Sequence, residues 1–218
     1  MPNSTADSAL VKPGGILWNA MSSTDTMKIL VTAFGPFDGR VENASSLALA
    51  GLKRRLPEIR MRVLPVDSVI APARIKQAIR LLRPDALLML GEAVGSERLR
   101  IEDTAWNELD FRIPDIAGRQ PGLREIAAGM PASLSATLPV DSVLARLMAS
   151  GHDAERSSDP GRYLCNQVFF TALLSIRNQR LPCRAGFIHL PLARDLPTSR
   201  VVEALGDVID GIADWKRK

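Results

Sequence analysis

The sequence predicts an α/β fold: a three-layer α/β/α sandwich around a mostly parallel, twisted sheet. Three observations carry this. Residues 27–91 run strand, helix, strand, helix, strand, with short aliphatic stretches alternating with longer amphipathic ones. The stretches at 27–34 and 85–91 are apolar almost throughout, the pattern of strands covered on both faces. The 218 residues are 46% hydrophobic and only 5% aromatic, enough for one aliphatic core that needs no disulfide or structural metal.

Each element has a local reason. MKILVTAF (27–34) forms the first strand and ends at Gly35-Pro36. Asn43 is placed to cap a helix running to about 56, because 45–52 is apolar on one side. RMRVLPV (60–66) is a second strand, and a helix over 71–82 is stopped by Pro84. DALLMLG (85–91) is a third strand closing on glycine. Residues 97–112 alternate more and carry few helix signals, so an extended or hairpin excursion is expected there. The Pro- and Gly-rich stretch 113–131 is a long loop. A helix at 138–149, a strand at 152–156 and a turn at 157–161 lead into a strongly apolar helix at 163–178. AGFIHLP (185–191) is another buried strand, and 199–216 a closing amphipathic helix. With no repeat and no internal linker, 27–218 is expected to be a single domain. Residues 1–26 read as a disordered leader, with Met27 an alternative start. Their first residues carry no positive charge, and the apolar patch at 16–18 is too short for a signal peptide.

The net charge of +4 is spread along the chain. Its densest cluster, Lys53, Arg54 and Arg55 continuing to Arg60 and Arg62, has no interleaved aromatics to stack bases. It reads as a solvated helix end rather than a nucleic-acid surface. The two cysteines, Cys165 and Cys183, form no C-x-x-C pair, and with His152 and His189 they lack zinc-site spacing. No cofactor or metal is expected, and a reducing cytoplasm fits best. No apolar run approaches the length of a membrane span.

Chemistry gathers at four places. Cys165 follows a Pro-Gly turn at the start of a helix, where unpaired N–H groups and the macrodipole favour an anion. That setting makes thiolate nucleophiles. Position alone leaves open a second reading, a small buried hydrophobe. Cys183, between Pro182 and Arg184, is expected to be structural. His189 ends an apolar strand, where ligand-binding and catalytic residues of α/β sheets collect. It could serve as a general base or as a hydrogen-bonded core histidine. His152, in the polar stretch ASGHDAER, is expected to be exposed. Glu102 should face away from Leu99 and Ile101, but composition gives it no special status among the acidic residues. FGPFDG (34–39) places Phe34 and Phe37 around a turn at a strand end, as a pocket wall or a plain apolar plug.

Taken together, these segments resemble the pyroglutamyl peptidase I family, also called pyrrolidone-carboxylate peptidases, in order through most of 28–217. KILVTAFGPFDGRVENASS is similar to the family's opening strand and Phe-x-x-Phe turn. GEAVGSERLRIEDTAWNELDFRIPDIAG resembles the block with its catalytic glutamate, which falls on Glu102. GRYLCNQVFF resembles the nucleophile block, which falls on Cys165, and AGFIHLP the histidine block, which falls on His189. The resemblance implies a cysteine exopeptidase acting after an N-terminal pyroglutamyl residue through a thioester. It implies that Phe34 and Phe37 sandwich the lactam, with Asn43 and Leu164 as further pocket residues. It also implies a homo-oligomer, commonly a tetramer.

The chain departs from the common pattern at several positions. Glu92, beside the implied pocket, stands where Gln is frequent, and its carboxylate would be costly next to an uncharged lactam unless paired. Ser96 and Asp103 stand where Arg is frequent, Ala44 replaces a frequent Pro, and Leu192 a frequent Tyr. The 1–26 leader has no counterpart. Two alternatives stay open at the sequence level: a cysteine amidase for a different small acyl group, and an inactive binding protein of the same fold.

Overall fold

The computed structural model describes residues 27–214. The leader expected at 1–26 and the end of the last helix at 215–216 lie outside the described residues.

Six strands form the main sheet: β1 (Ile29–Phe34), β2 (Arg60–Leu64), β3 (Ala86–Glu92), β4 (Leu99–Glu102), β7 (Ala154–Ser157) and β8 (Arg184–Leu190). Their order is β2-β1-β3-β8-β4-β7. Pairing is parallel throughout except between β4 and β8. The exception has a simple cause. Only residues 93–98 join β3 to β4, far too few for a parallel crossover, so the chain turns past the end of β8 and runs back along it. Ala93 N–H donates to the Leu190 carbonyl at that turn, 2.9 Å away. The excursion expected at 97–112 therefore supplies a sheet strand and then β5 (Thr104–Trp106), which pairs with β6 (Ser133–Ser135) in a separate small hairpin.

Helices cover both faces. On one side α1 (Ala44–Arg55), α3 (Val140–Ala149) and α5 (Thr198–Asp214) pack on Val31, Leu88, Ile101 and Ile188. On the other, α2 (Ile70–Leu82) and α4 (Leu164–Asn178) pack on Leu30, Leu87, Met89 and Phe187. In β1, β3 and β8 adjacent residues serve opposite cores, which is why these central strands read as apolar runs, whereas the edge strands β2 and β7 are largely exposed. Asn43 caps α1 as expected, its Oδ1 accepting the Ser45 N–H at 2.9 Å. Just before α2, whose N-cap is Val69, the Asp67 carboxylate accepts from the Val69 and Ile70 N–H groups at 2.8 Å each. One reading of the sequence is corrected. The side chain of His152 is largely buried, with Nε2 2.8 Å from Asp207 of α5, because the turn after α3 tucks the ring beneath that helix.

Candidate active site

The ends of β1, β3 and β8 open toward the start of α4. This is the edge of an α/β sheet where ligands bind. Helix α4 has Tyr163 at its N-cap and no side-chain cap, so its first-turn N–H groups remain available to an anion. Cys165 is the second residue of that helix and is partly exposed.

His189 and Glu102 reach the same spot from the sheet. In the antiparallel register Arg100 stands opposite His189 and Glu102 opposite Phe187. His189 and Glu102 are therefore diagonal neighbours on one sheet face, the face that α4 covers. His189 Nδ1 lies 2.8 Å from Glu102 Oε1. The carboxylate can only accept, so Nδ1 carries the proton, which leaves Nε2 for the hydrogen bond between His189 and Cys165. Both side chains are buried, Glu102 completely. Burial by itself pulls the imidazolium down. The negative charge and hydrogen bond of Cys165, then the hydrogen bond and charge of Glu102, outweigh it and raise His189 to about 9. Such an arrangement can pass one proton between sulfur, a leaving group and water. Cys183 is different: burial, then the nearby Asp85 carboxylate, push its thiol up to about 12, which leaves it inert.

A cavity of about 500 Å³ lies over Cys165 and His189. Phe34, Phe37, Asn43, Glu92 and Leu164 all line it. Phe37 has two neighbours: its ring stacks on Tyr163 at 6.2 Å, and the Arg40 guanidinium carbon sits 4.8 Å from its centroid. Asn43 spends Oδ1 on the α1 cap, which turns its amide NH2 group to the cavity. Glu92 is paired. It accepts the Ala44 N–H at 2.8 Å, at the start of α1, and forms an ion pair with Arg40. Its carboxylate is thus compensated by a cation and a helix N-terminus, which removes the expected penalty.

Several residues at the site had no legible signal. Arg100 walls the cavity and lies 3.9 Å from Glu102. Asn166, next in sequence to Cys165, accepts from Trp106 N–H and donates to the Trp106 and Glu108 carbonyls, clamping the β5 segment against α4. Tyr163 donates to the Pro114 carbonyl and so ties the long loop to the rim. Asp103, which stands where Arg is frequent, is ion-paired to Arg156.

Fold and site define an α/β cysteine hydrolase. The family profile described as Pyroglutamyl peptidase matches residues 27–204, and the chain belongs to that family. A pyrrolidone-carboxylate peptidase of Gloeobacter violaceus is 38% identical over 168 residues, covering 76% of this chain and 82% of the relative. One from Thermococcus kodakarensis is 34% identical, covering 78% and 83%. Among solved structures, the pyrrolidone carboxyl peptidase of Thermococcus litoralis superposes with a TM-score of 0.80 at 29% identity, covering 88% of this chain and 95% of that one. The pyroglutamyl peptidase I of Bacillus amyloliquefaciens gives 0.80 at 27% identity, covering 86% and 95%.

Proposed function

We propose that the chain is a cysteine exopeptidase that hydrolyses the amide bond after an N-terminal pyroglutamyl residue. The observation that carries this is the line Cys165–His189–Glu102 opening into a cavity walled by Phe34, Phe37 and Leu164. A pyroglutamyl ring has no ammonium and no charge, so aromatic and aliphatic walls with a few polar contacts suit it. The Asn43 amide is a donor suited to the lactam carbonyl.

In the reaction the Cys165 thiolate attacks the pyroglutamyl carbonyl carbon. First-turn N–H groups of α4 receive the oxyanion. The C–N bond breaks as His189 Nε2 gives its proton to the departing amine. Water then surrenders a proton to Nε2 and attacks the thioester carbonyl, and the C–S bond breaks to release pyroglutamate. Glu102 holds the ring in one tautomer and offsets its charge when it is protonated. The finer expectations belong to the same reading. A reducing cytoplasm suits a chain that works through a thiolate and keeps both cysteines free. The family resemblance makes a homo-oligomer, a tetramer, the expected assembly, to be weighed by analytical ultracentrifugation. Among the described residues no helix is long and apolar enough to cross a membrane.

The test is release of a fluorescent amine from a pyroglutamyl amide under reducing conditions, comparing wild type with Cys165→Ser. Turnover lost in the variant supports the reading. A folded wild type that turns over other small acyl amides but not this one overturns it.

A further inference from the structure

Glu102 is fully buried, and only one of its oxygens is engaged: Oε1 bonds His189, while Oε2 has no hydrogen-bond partner. A buried carboxylate so placed needs positive charge nearby. Two cations supply it. One is His189, which gives up its proton during the cycle proposed above. The other is Arg100, whose Nε lies 3.9 Å from Oε1 and whose guanidinium never loses its charge. Arg100 is two residues before Glu102 on β4, so both project from one face, and it stands directly across from His189. Its aim is fixed from outside: Nη2 donates to Ser157 Oγ at 2.6 Å and to the Asp159 carbonyl at 3.0 Å.

We propose that Arg100 is a positioning residue that offsets the Glu102 carboxylate through the half-reaction in which His189 is neutral, and so sets how firmly His189 holds its proton. The inference rests on the mechanism above but acts through Glu102 rather than on substrate. Other charges face His189 and must be weighed. Cys165 on α4 and Glu102 on β4 touch it. Glu92 at the end of β3, and Asp110, Arg112, Asp159 and Arg162 in the rim loops, line the same cavity. Glu92 is neutralised by Arg40, and Arg162 by Glu108 and Asp159. On the strand beyond β4, Arg156 is taken by Asp103 and Asp141. Arg100 is the cation that borders Glu102 itself.

The sign follows from Coulomb's law. Removing a fixed positive charge beside the pair makes the imidazolium easier to keep, so His189 should titrate higher. The chain has two histidines, so NMR titration of the imidazoles can be assigned with a His152 variant. Arg100→Met and Arg100→Gln should raise the His189 midpoint, by roughly one pH unit, and lower kcat several-fold with KM little changed. Arg100→Lys should titrate like wild type. Arg100→Gln keeps a donor for Ser157 and guards against a folding defect in the Met variant. A folded Arg100→Gln with a wild-type His189 midpoint overturns the proposal. The NMR readout needs no substrate. A shifted midpoint in an enzyme inert toward pyroglutamyl amides would sink the substrate assignment and leave the role of Arg100 standing.

Discussion

Gly91 and Cys165 are packed so closely that a Cβ on residue 91 would stand 2.8 Å from the thiol sulfur and 2.7 Å from Cζ of Phe187. The end of β3 is therefore the floor on which the sulfur rests. Side-chain carbon at 91 must push Cys165 away from His189 or drive the strand outward. If Cys165 is the nucleophile of the proposed mechanism, Gly91→Ala should lower kcat/KM on the order of a hundredfold, since small displacements of a nucleophile are that expensive. Overpacking should also cost about 1–3 kcal/mol of stability. Steady-state kinetics beside a urea titration check both. Wild-type kcat in the variant would show that the sulfur does not depend on this contact.

On the proposed mechanism, His189 should set the alkaline limit of activity. Its folded pKa, about 9, is raised above the ordinary 6.5. The imidazolium's contribution to stability is thus fully present below about 6.5 and lost as pH rises through about 9. kcat/KM for a pyroglutamyl amide is expected to fall over the same upper range. The charge and hydrogen bond of Cys165 are the largest upward influences, so Cys165→Ser should move the NMR midpoint of His189 down. A descending limb unchanged from free imidazole would contradict this.

Single-hit alkylation follows from the two thiol environments. Cys165 is partly exposed beside His189, whereas burial pushes Cys183 up to about 12. Iodoacetamide at neutral pH should add one adduct by mass spectrometry, at Cys165, with parallel loss of activity. Labelling of Cys183 in the folded protein at a comparable rate would mean that its strand end opens in solution.

Much of the framework was legible because it depends on local rules. The apolar runs at 27–34, 85–91 and 185–191 became central strands, and Asn43 caps its helix. What stayed hidden depends on pairing across the chain. Glu102 looked like any acidic residue because its partner lies 87 positions away and is reached only once β4 inserts beside β8. The alternation of Leu99 and Ile101 did place Glu102 on the opposite face. That face is buried too, since α4 covers it. Gly91 was visible as the end of a strand, but no sequence pattern says that a thiol from residue 165 will lie against it. His152 looked solvated by its polar neighbours, yet Asp207 of the last helix draws it in.

Acid should loosen the long loop before the sheet. Asp115 anchors that loop: Oδ2 accepts from the Ser68 N–H and hydroxyl at 2.8 and 2.7 Å, and Oδ1 from the Ala117 and Arg119 N–H groups at 2.9 Å. Burial opposes the charge, but these bonds outweigh it and lower the carboxyl to about 2. A depressed folded value means stability that is present above the ordinary 3.8 and lost as pH falls toward 2, amounting to about 2 kcal/mol. Asp115→Asn replaces an acceptor with a donor facing donors, and should cost roughly 1–3 kcal/mol at neutral pH. Urea midpoints from pH 7 to 2.5 should fall less steeply in the variant. Equal slopes would assign the acid sensitivity elsewhere.

The Arg40–Glu92 pair gives the sharpest test of the cavity wall. Arg40 does two things: it neutralises the nearly buried Glu92 carboxylate, and it lies on the Phe37 ring that lines the cavity. Removing it alone strands a charge and frees the ring, so Arg40→Ala should raise KM several-fold and cost about 3 kcal/mol or more of stability. Glu92→Gln removes the charge but keeps an oxygen for the Ala44 N–H, so its effect should be smaller. The double variant Arg40→Ala/Glu92→Gln leaves no uncompensated carboxylate. It should regain much of the stability lost in Arg40→Ala, while KM stays high because Phe37 has lost its cover. A double variant that restores both would show that Arg40 acts on the cavity only through Glu92. Strict additivity in both would show that the ion pair carries no coupling at all.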